Sequence, residues 1–400
     1  MGTSIIILSY NNLKYTKECL ESIRKYTTNL DYEIIIVDNN SNEETKLWLK
    51  MQPDIKLQLN TTNRGFPGGC NDGIQLANPQ NDILLLNNDI IVTTNWLKNL
   101  LTSLYSNQNI GAVSPVTNSA DYFQTIPTEY KTMPEMQAFA KNLNISDSSL
   151  WEERAKLIGY CLLVKRDVIN KVGFLDEGFF PGTYEDDDYS MRIILENYKL
   201  ILCKDTFVHH YGSSSFNELS DHFKLLQTNA LKFKIKWGFE AISELYFNFS
   251  YLSIIPSLEN LNILDIYCHS GSNGLMLKSN RKNLNFYIAE NSSPSFKIAS
   301  KLHKTYIPYN SPINFDYVII DDYEKFSNDI NAQNITYKAL ETTNNLIVYI
   351  IKDLYINHDS EYYKKLLLFT NNLISNFKLN NLLQYTYGNQ IILQFSKPNN

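Results

Sequence analysis

Near-continuous aliphatic runs alternate with amphipathic stretches through the first quarter of the chain, and this alternation restricts the fold more than any other feature. "TSIIILSY", "YEIIIVDNNS", "IKLQLN" and "DILLLNND" are apolar at successive positions, as strands covered on both faces must be. Between them lie "LKYTKECLESIRKYT" (13–27), with Leu13, Leu20 and Ile23 facing inward, then "ETKLWLKMQ", then "GGCNDGIQLA" after a Gly-rich turn. Strands alternating with helices predict an α/β domain on a mainly parallel sheet. Three strands end in polar tips: Ser9-Tyr10-Asn11, Asp38-Asn39-Asn40 and Asn87-Asn88-Asp89. In a parallel sheet such tips share one edge, where α/β proteins place ligands. Taken alone, the Asn-Asn-Asp of "DILLLNNDIIV" serves equally well as the polar corner of a hairpin.

Further on the pattern changes. "GAVSPV" and "IGYCLLVKR" read as strands on either side of an irregular insertion (118–150) of the length that binding lids have. "EDDDYSMRIILENY" reads as a helix start, and "KLILCKDTFVHHYGSSSF" as a strand running into a polar loop. Residues 219–245 are amphipathic and close this domain, with a Lys-x-Lys-x-Lys charge pattern. The alternation then restarts: "NLNILDIYCHSGSNG", "NLNFYIAENSS", "FDYVIIDDYEKF", "NNLIVYIIKD" and "NQIILQFS" are five strand candidates. The boundary falls at 245–257, around "SIIPSLEN", giving domains 1–245 and 246–400, the second also α/β and smaller.

Composition narrows the function classes. Four hundred residues suffice for two domains with separate cores. A formal charge of -6 argues against nucleic-acid backbone binding as the main activity but leaves room for a small anionic ligand. The five cysteines (Cys19, Cys70, Cys161, Cys203, Cys268) are scattered, so neither a zinc framework nor a disulfide scaffold is expected, and a reducing compartment is. No apolar run reaches the ~18 residues of a membrane span. The N-terminus enters a strand without a basic region or cleavage site, so the expectation is a cytoplasmic protein without a signal peptide.

Two clusters carry chemistry. Mg²⁺ or Mn²⁺ bound with a diphosphate is held by one or two carboxylates, phosphate oxygens and water. Asp89 supplies such a carboxylate, and His209 or His210 an imidazole, although adjacent histidines at a strand end also occur as a satisfied pair. The acids of "YEDDDYSMR" complement a helix dipole by roughly 0.3–1 kcal/mol each. Equally, the apolar, turn-rich "GFFPGT" before them would hold one carboxylate partly desolvated, as a general base needs.

In their order and spacing, "SIIILSYNN", "IIIVDNNS", "NRGFPGGCNDGI", "LLLNNDIIV", "GFLDEGFFPGTYEDDDYSMRI" and "FVHHYGSSSF" resemble the family 2 glycosyltransferases. Roughly the first 240 residues are covered, and the wording is most similar to rhamnosyltransferase-type bacterial members. The resemblance implies the GT-A fold (a Rossmann-like nucleotide-diphospho-sugar transferase), a UDP- or dTDP-sugar donor and a divalent metal, Mn²⁺ or Mg²⁺. It implies that Ser9, Tyr10, Asn11, Asp38 and Asn40 contact the nucleotide, and that Arg64, Gly65, Gly69 and Asn71 approach ribose and diphosphate. Asn87, Asn88 and Asp89 stand at the family's D-x-D position, and His209 or His210 at its distal metal ligand. Asp186, beside Glu185, matches the catalytic base of inverting members, with Asp187 and Asp188 secondary and orienting Arg192. The acceptor is a hydroxyl on a surface glycan or on a protein Ser or Thr, such as flagellin or a surface-layer protein. One position departs: Asn87 replaces the family's first aspartate, which removes a charge and opens the alternative of nucleotide binding without turnover.

The second domain resembles class I methyltransferases in "ILDIYCHSGSNG", "YIAENSSPSFKIASKL" and "FDYVIIDDYEKF". Asp265, Gly271 and Glu290 match that pattern, whereas Tyr267 and His269 stand where two glycines belong. Bulky side chains there intrude on a cofactor, so the expectation is a degenerate domain serving acceptor binding or assembly, with a bifunctional enzyme as the alternative.

Overall fold

The computed structural model describes residues 2–212, 219–281, 283–307, 313–321, 326–341, 343, 345–351, 368, 371–372, 375, 380–387 and 390–396. It divides into two compact units, Met1–Ala241 and Ile242–Asn400. Among the described residues no helix is long and apolar enough to cross a membrane.

In the first unit, β1 (Thr3–Ser9), α1 (Leu13–Tyr26), β2 (Tyr32–Asp38), α2 (Glu43–Lys50), β3 (Ile55–Leu59), α3 (Gly65–Leu76) and β4 (Asp82–Asn87) follow the aliphatic runs. These are joined by β5 (Ile90–Ile91), α4 (Trp96–Tyr105), β6 (Ile110–Val116), α5 (Met133–Leu143), β7 (Trp151–Arg154) and β8 (Cys161–Val164). The unit ends with α6 (Arg166–Val172), α7 (Glu185–Leu195), β9 (Lys199–Phe207), β10 (His209–His210) and α8 (Leu219–Trp237). The main sheet has the order β3-β2-β1-β4-β8-β6-β9-β7. Its first four strands are parallel, but β8 runs antiparallel to both β4 and β6, so the sheet is mixed beyond β4.

Register places the polar tips together. Ser9 pairs with Asp38, and Leu8 pairs with Asn87, so all three tips leave the same edge. The Asn-Asn-Asp stretch is no hairpin corner. Strand β5 leaves the main sheet and pairs antiparallel with β10, setting His210 opposite Ile90 and His209 opposite Ile91. Beneath the tips, Ile5, Ile7, Ile34, Ile36, Leu84 and Leu86 pack against Cys19, Leu20 and Ile23 of α1.

The 118–150 insertion is less irregular than its pattern implies. It holds α5, opened by a Thr132–Glu135 capping box with Pro134 in the first turn. Only Met136 and Ala140 of this helix are buried, too few to print a helical period on the sequence.

In the second unit the five strand candidates form β11 (Asn262–Asp265), β12 (Asn285–Ala289), β14 (Tyr317–Ile320), β15 (Asn345–Ile351) and β17 (Gln390–Ser396). Two further strands, β13 (Lys304–Tyr306) and β16 (Asn380–Tyr387), complete the order β13-β12-β11-β14-β15-β17-β16. The strands from β13 to β15 are parallel, and β17 runs antiparallel to both its neighbours.

Candidate active site

The tips of β1 and β2 form one wall. Asp38 is fully buried; one carboxylate oxygen accepts from the Ser41 amide at 2.9 Å. Its other oxygen and the Ser9 hydroxyl are buried without a hydrogen-bond partner, an unsatisfied pair on adjacent strands. Tyr10 is exposed, while Asn11 and Asn40 both adopt left-handed backbone. The Asn11 side chain accepts from the Asn42 amide at 3.0 Å, and that of Asn40 from the Lys46 ammonium at 3.0 Å.

Asn39 organises the Gly-rich turn. Its amide donates to the Gly65 carbonyl at 2.9 Å, and its oxygen accepts from Asn60 at 3.1 Å and from the Arg64 amide at 3.3 Å. Nothing in the local sequence marks Asn39 for this role beyond its place within a tip triplet. At Gly69 a β-carbon would lie 2.1 Å from Leu8, so glycine there permits α3 to approach β1. Arg64 and Asn71 are engaged within the protein. The guanidinium grips Asp72 at 2.5 Å and Glu177 at 2.8 Å. The Asn71 amide exchanges two hydrogen bonds with the Leu175 backbone and donates to Glu177. Both residues thus fix α3 to the 175–177 segment.

The β4 tip splits its residues between two directions. Asn87 is half-buried at the strand end, whereas Asn88 is buried and donates to the Thr16 hydroxyl of α1 at 3.0 Å. Asp89 Oδ1 lies 3.2 Å from His210 Nε2. The other ring nitrogen of His210 meets the Ser119 carbonyl at 2.6 Å, so Nδ1 carries the proton there and Nε2 faces Asp89. Burial opposes charge on this ring, but Asp89 and the Ser119 carbonyl hold its pKa above the ordinary imidazole value. Alternation along β10 turns His209 the other way, onto the Tyr130 hydroxyl at 2.7 Å. Burial, with His210 beside it, pushes His209 below its usual pKa.

Among the described residues no three His, Cys, Asp or Glu side chains gather into a metal cage. A single carboxylate facing a single imidazole of fixed tautomer is nonetheless a fitting donor set for Mg²⁺ or Mn²⁺, which take the rest of their ligands from phosphate and water.

The acidic run sorts its members by burial. Asp188 is fully buried and meets Arg192 Nε at 2.9 Å, Lys236 at 2.6 Å and Trp237 Nε1 at 2.9 Å. Asp187 is buried against Lys156 at 2.6 Å. Glu185 is buried with one oxygen lacking a partner, and burial beside Asp186 raises its pKa well above the carboxylate range. Asp186 alone stays partly open. Its carboxylate accepts from the Gly159 amide at 3.2 Å and the Asp187 amide at 2.9 Å. Burial and Asp187 push its pKa up to about 6, against the pull of Lys156. Asn229 of α8 fastens the preceding "GFFPGT" turn by donating to the Phe179 and Gly182 carbonyls at 2.8 and 2.7 Å. No sequence motif flags Asn229, because its partners are carbonyls of a distant loop.

In the second unit, Tyr267 donates to Asp329 at 2.8 Å, and these two with Ser292, Ser293, Pro294 and Asn328 line a cavity of about 310 Å³. His269 stands between Glu244 at 3.3 Å and Asp321 at 3.5 Å. Buried Asp265 accepts from Tyr251 at 2.8 Å, left-handed Gly271 precedes the helix Ser272–Asn280, and Glu290 is exposed.

Residues 4–173 match the family model described as glycosyl transferase family 2. This supports a family 2 glycosyltransferase, with the GT-A-like mixed α/β sheet that the first unit displays. The matched segment carries the strand tips, the Gly-rich turn and Asp89, and ends ahead of Asp186 and His210. A curated relative, the Haloferax volcanii low-salt glycan biosynthesis hexosyltransferase Agl10, is 26% identical over 209 residues, covering 50% of this chain and 64% of the relative. Among solved structures, the Pyrobaculum calidifontis mannosyltransferase PcManGT, in complex with GDP-Man and Mn²⁺, is 19% identical with a TM-score of 0.43, covering 60% of this chain and 65% of the other. GalNAc-T7 with UDP, GalNAc and Mn²⁺ is 16% identical with a TM-score of 0.48, covering 70% of this chain and 55% of the other. The chain thus spans less than two thirds of each of these proteins.

Proposed function

We propose that this protein is a metal-dependent, inverting glycosyltransferase that moves a sugar from a nucleotide-diphosphate donor to an acceptor hydroxyl. The observation that carries the reading is the Asp89–His210 pair, 3.2 Å apart at the strand-tip edge with the imidazole tautomer fixed by Ser119. Asp89 and His210 would hold the Mn²⁺ or Mg²⁺ ion, with Asn87 in the place of a second carboxylate. When bound, such an ion neutralises charge on a departing diphosphate. Ser9 and Asp38 offer unsatisfied oxygens to the nucleotide, and exposed Tyr10 offers a ring.

Asp186 is the base. Ionised above about pH 6, it takes the proton of the acceptor hydroxyl as that oxygen bonds to the anomeric carbon. The bond from that carbon to the diphosphate breaks in the same displacement, the diphosphate leaves with the electron pair, and configuration inverts. Of the adjacent pair Glu185 and Asp186 we assign the base to Asp186, the more open of the two; Glu185 is buried, and burial pushes its carboxyl pKa up. For the donor we propose a UDP- or dTDP-sugar, and for the acceptor a surface glycan or a protein Ser or Thr. The second unit, degenerate at Tyr267 and His269, would serve the acceptor.

A panel of UDP- and dTDP-sugars, screened by thermal shift and by diphosphate release with and without Mn²⁺, tests this. Binding should raise the melting temperature mainly with the metal present. Asp186→Asn should still bind donor yet release no nucleoside diphosphate; undiminished turnover would remove the base assignment. Tight binding with no turnover of any sugar would leave a nucleotide-sugar-binding protein, the reading that Asn87 allows.

A further inference from the structure

Four acids in succession would repel one another and compete for the same proton, yet only one of them stays open. The reason lies in the irregular segment 156–159, which runs along the first turns of α7. Lys156 Nζ reaches Asp187 Oδ1 at 2.6 Å, the Leu157 amide reaches the Ser190 hydroxyl at 3.2 Å, and the Gly159 amide reaches Asp186 at 3.2 Å. From the other side, the Ile158 amide is held by the Gln124 side chain at 2.9 Å. Lys156 and Asp187 are 9% and 5% exposed, so this ion pair is screened little by solvent. The Tyr122 ring covers the ammonium at 4.8 Å, delivered by left-handed backbone at both Tyr122 and Phe123. Two consecutive non-glycine residues in that region are strained, and such strain persists where the surroundings enforce it.

We infer that Lys156 is the positioning residue of this site: anchored on Asp187 under Tyr122, it holds the 156–159 segment so that the Gly159 amide meets Asp186 and Asp186 is the open carboxylate of the run. The inference rests on the reading of Asp186 as the base and extends it to the group that makes that base usable.

The charges facing Asp186 have opposite signs. Glu185, Asp187 and Asp188 stand on its own helix, and Cys70 of α3 faces Glu185 from behind. Lys156 is the cation that faces Asp186 from the packed segment, with Tyr122 beyond it. Burial and Asp187 raise the Asp186 pKa while Lys156 lowers it; burial opposes charge on Lys156, but Asp187 and Asp186 beside it outweigh this and hold its pKa above the ordinary lysine value. Removing either member of the ion pair therefore moves Asp186 in opposite directions.

The test is a carboxyl ¹³C NMR titration of the full chain labelled at aspartate, with Asp186 identified by the signal lost in Asp186→Asn. Lys156→Met should move the Asp186 midpoint upward by about one pH unit or more, the effect of losing a nearby opposite charge. Asp187→Asn should move it downward, and Lys156→Arg should restore it to near the wild-type midpoint. Mn²⁺-dependent hydrolysis of UDP-glucose or dTDP-rhamnose should follow the same order in the acid limb of its pH profile. Unmoved midpoints, or midpoints moving the same way in Lys156→Met and Asp187→Asn, overturn the inference. If Lys156→Met does not fold, as circular dichroism will show, Lys156→Gln takes its place, and the same upward shift is required of it. Absence of sugar-nucleotide turnover in the wild type, with opposed midpoints intact, would count against the enzyme reading and leave Lys156 in its place.

Discussion

His210 Nε2 stands 3.2 Å from Asp89 Oδ1 because the two-residue strands β5 and β10 pair across the sheet edge. The same pairing turns His209 away onto Tyr130, so adjacent and chemically identical side chains receive different partners. His210→Ala and Asp89→Ala should each weaken Mn²⁺ binding at least as much as loss of an outer-shell partner does, roughly 10–100-fold. His209→Ala should leave Mn²⁺ affinity within a few fold of wild type. Titration calorimetry with Mn²⁺ and UDP separates the cases; a His209 variant that loses the ion while His210→Ala keeps it reverses the assignment.

Asp186 gives a stability prediction with a defined sign. Its folded pKa, about 6, lies above that of an unfolded aspartate, so between about pH 4 and 6 the folded chain binds a proton that the unfolded chain has released. Stability from this group is complete below that window and is lost as pH rises through it. Asp186→Asn should therefore be more stable than wild type at pH 7–8, by roughly 1–2 kcal/mol after solvent screening. The gain should vanish near pH 4. Thermal melts of both proteins across this range provide the check, and a variant destabilised at pH 8 would contradict it.

The alternating strands and helices of the first unit were legible because parallel strands covered on both faces must be apolar at nearly every position. The shared edge of the three tips followed from the same logic. What the sequence hid depends on partners far along the chain. Asn88 and Asp89 are neighbours, yet one serves α1 and the other the site, a division set by β5 leaving the sheet. The equivalence of the four acids is broken only by what packs on each: Lys156 on Asp187, and Arg192, Lys236 and Trp237 on Asp188. Arg64 and Asn71, expected to approach ribose and diphosphate, also bind Asp72, Glu177 and the Leu175 backbone, contacts that no local pattern announces. Helix α5 escaped notice because it buries so little of itself.

Asp188 is the anchor of α7 on α8. Fully buried, it satisfies one guanidinium, one ammonium and one indole N–H. Asp188→Ala removes a buried charged acceptor, while Arg192 keeps the Val172 and Phe174 carbonyls and Lys236 keeps Asp176, and should destabilise the chain by roughly 1–3 kcal/mol. Urea unfolding of the first unit measures this, and a loss below 1 kcal/mol would show that the partners find water instead.

The capping box of α5 makes a smaller and more local prediction. Thr132 accepts from the Glu135 amide, and Glu135 reaches back to the Thr132 amide. Thr132→Ala should destabilise by about 1 kcal/mol. Amide exchange should accelerate in α5 while the β1–β4 core remains protected. Uniform acceleration throughout the unit would mean that α5 and the core open together.

The second unit makes the last prediction, through two residues in the turn that follows β11. His269 keeps a left-handed backbone, φ 51°, the conformation that suits glycine, but its imidazole lies between Glu244 and Asp321. Tyr267 fills the neighbouring position and is fixed by its hydroxyl to Asp329. A ligand that needs close backbone approach at this turn meets two side chains, each held by at least one carboxylate. Titration calorimetry of the full chain with S-adenosylmethionine should therefore give no binding heat up to millimolar concentration. A saturable heat at micromolar concentration would show that the turn still admits the cofactor, and would restore the bifunctional reading.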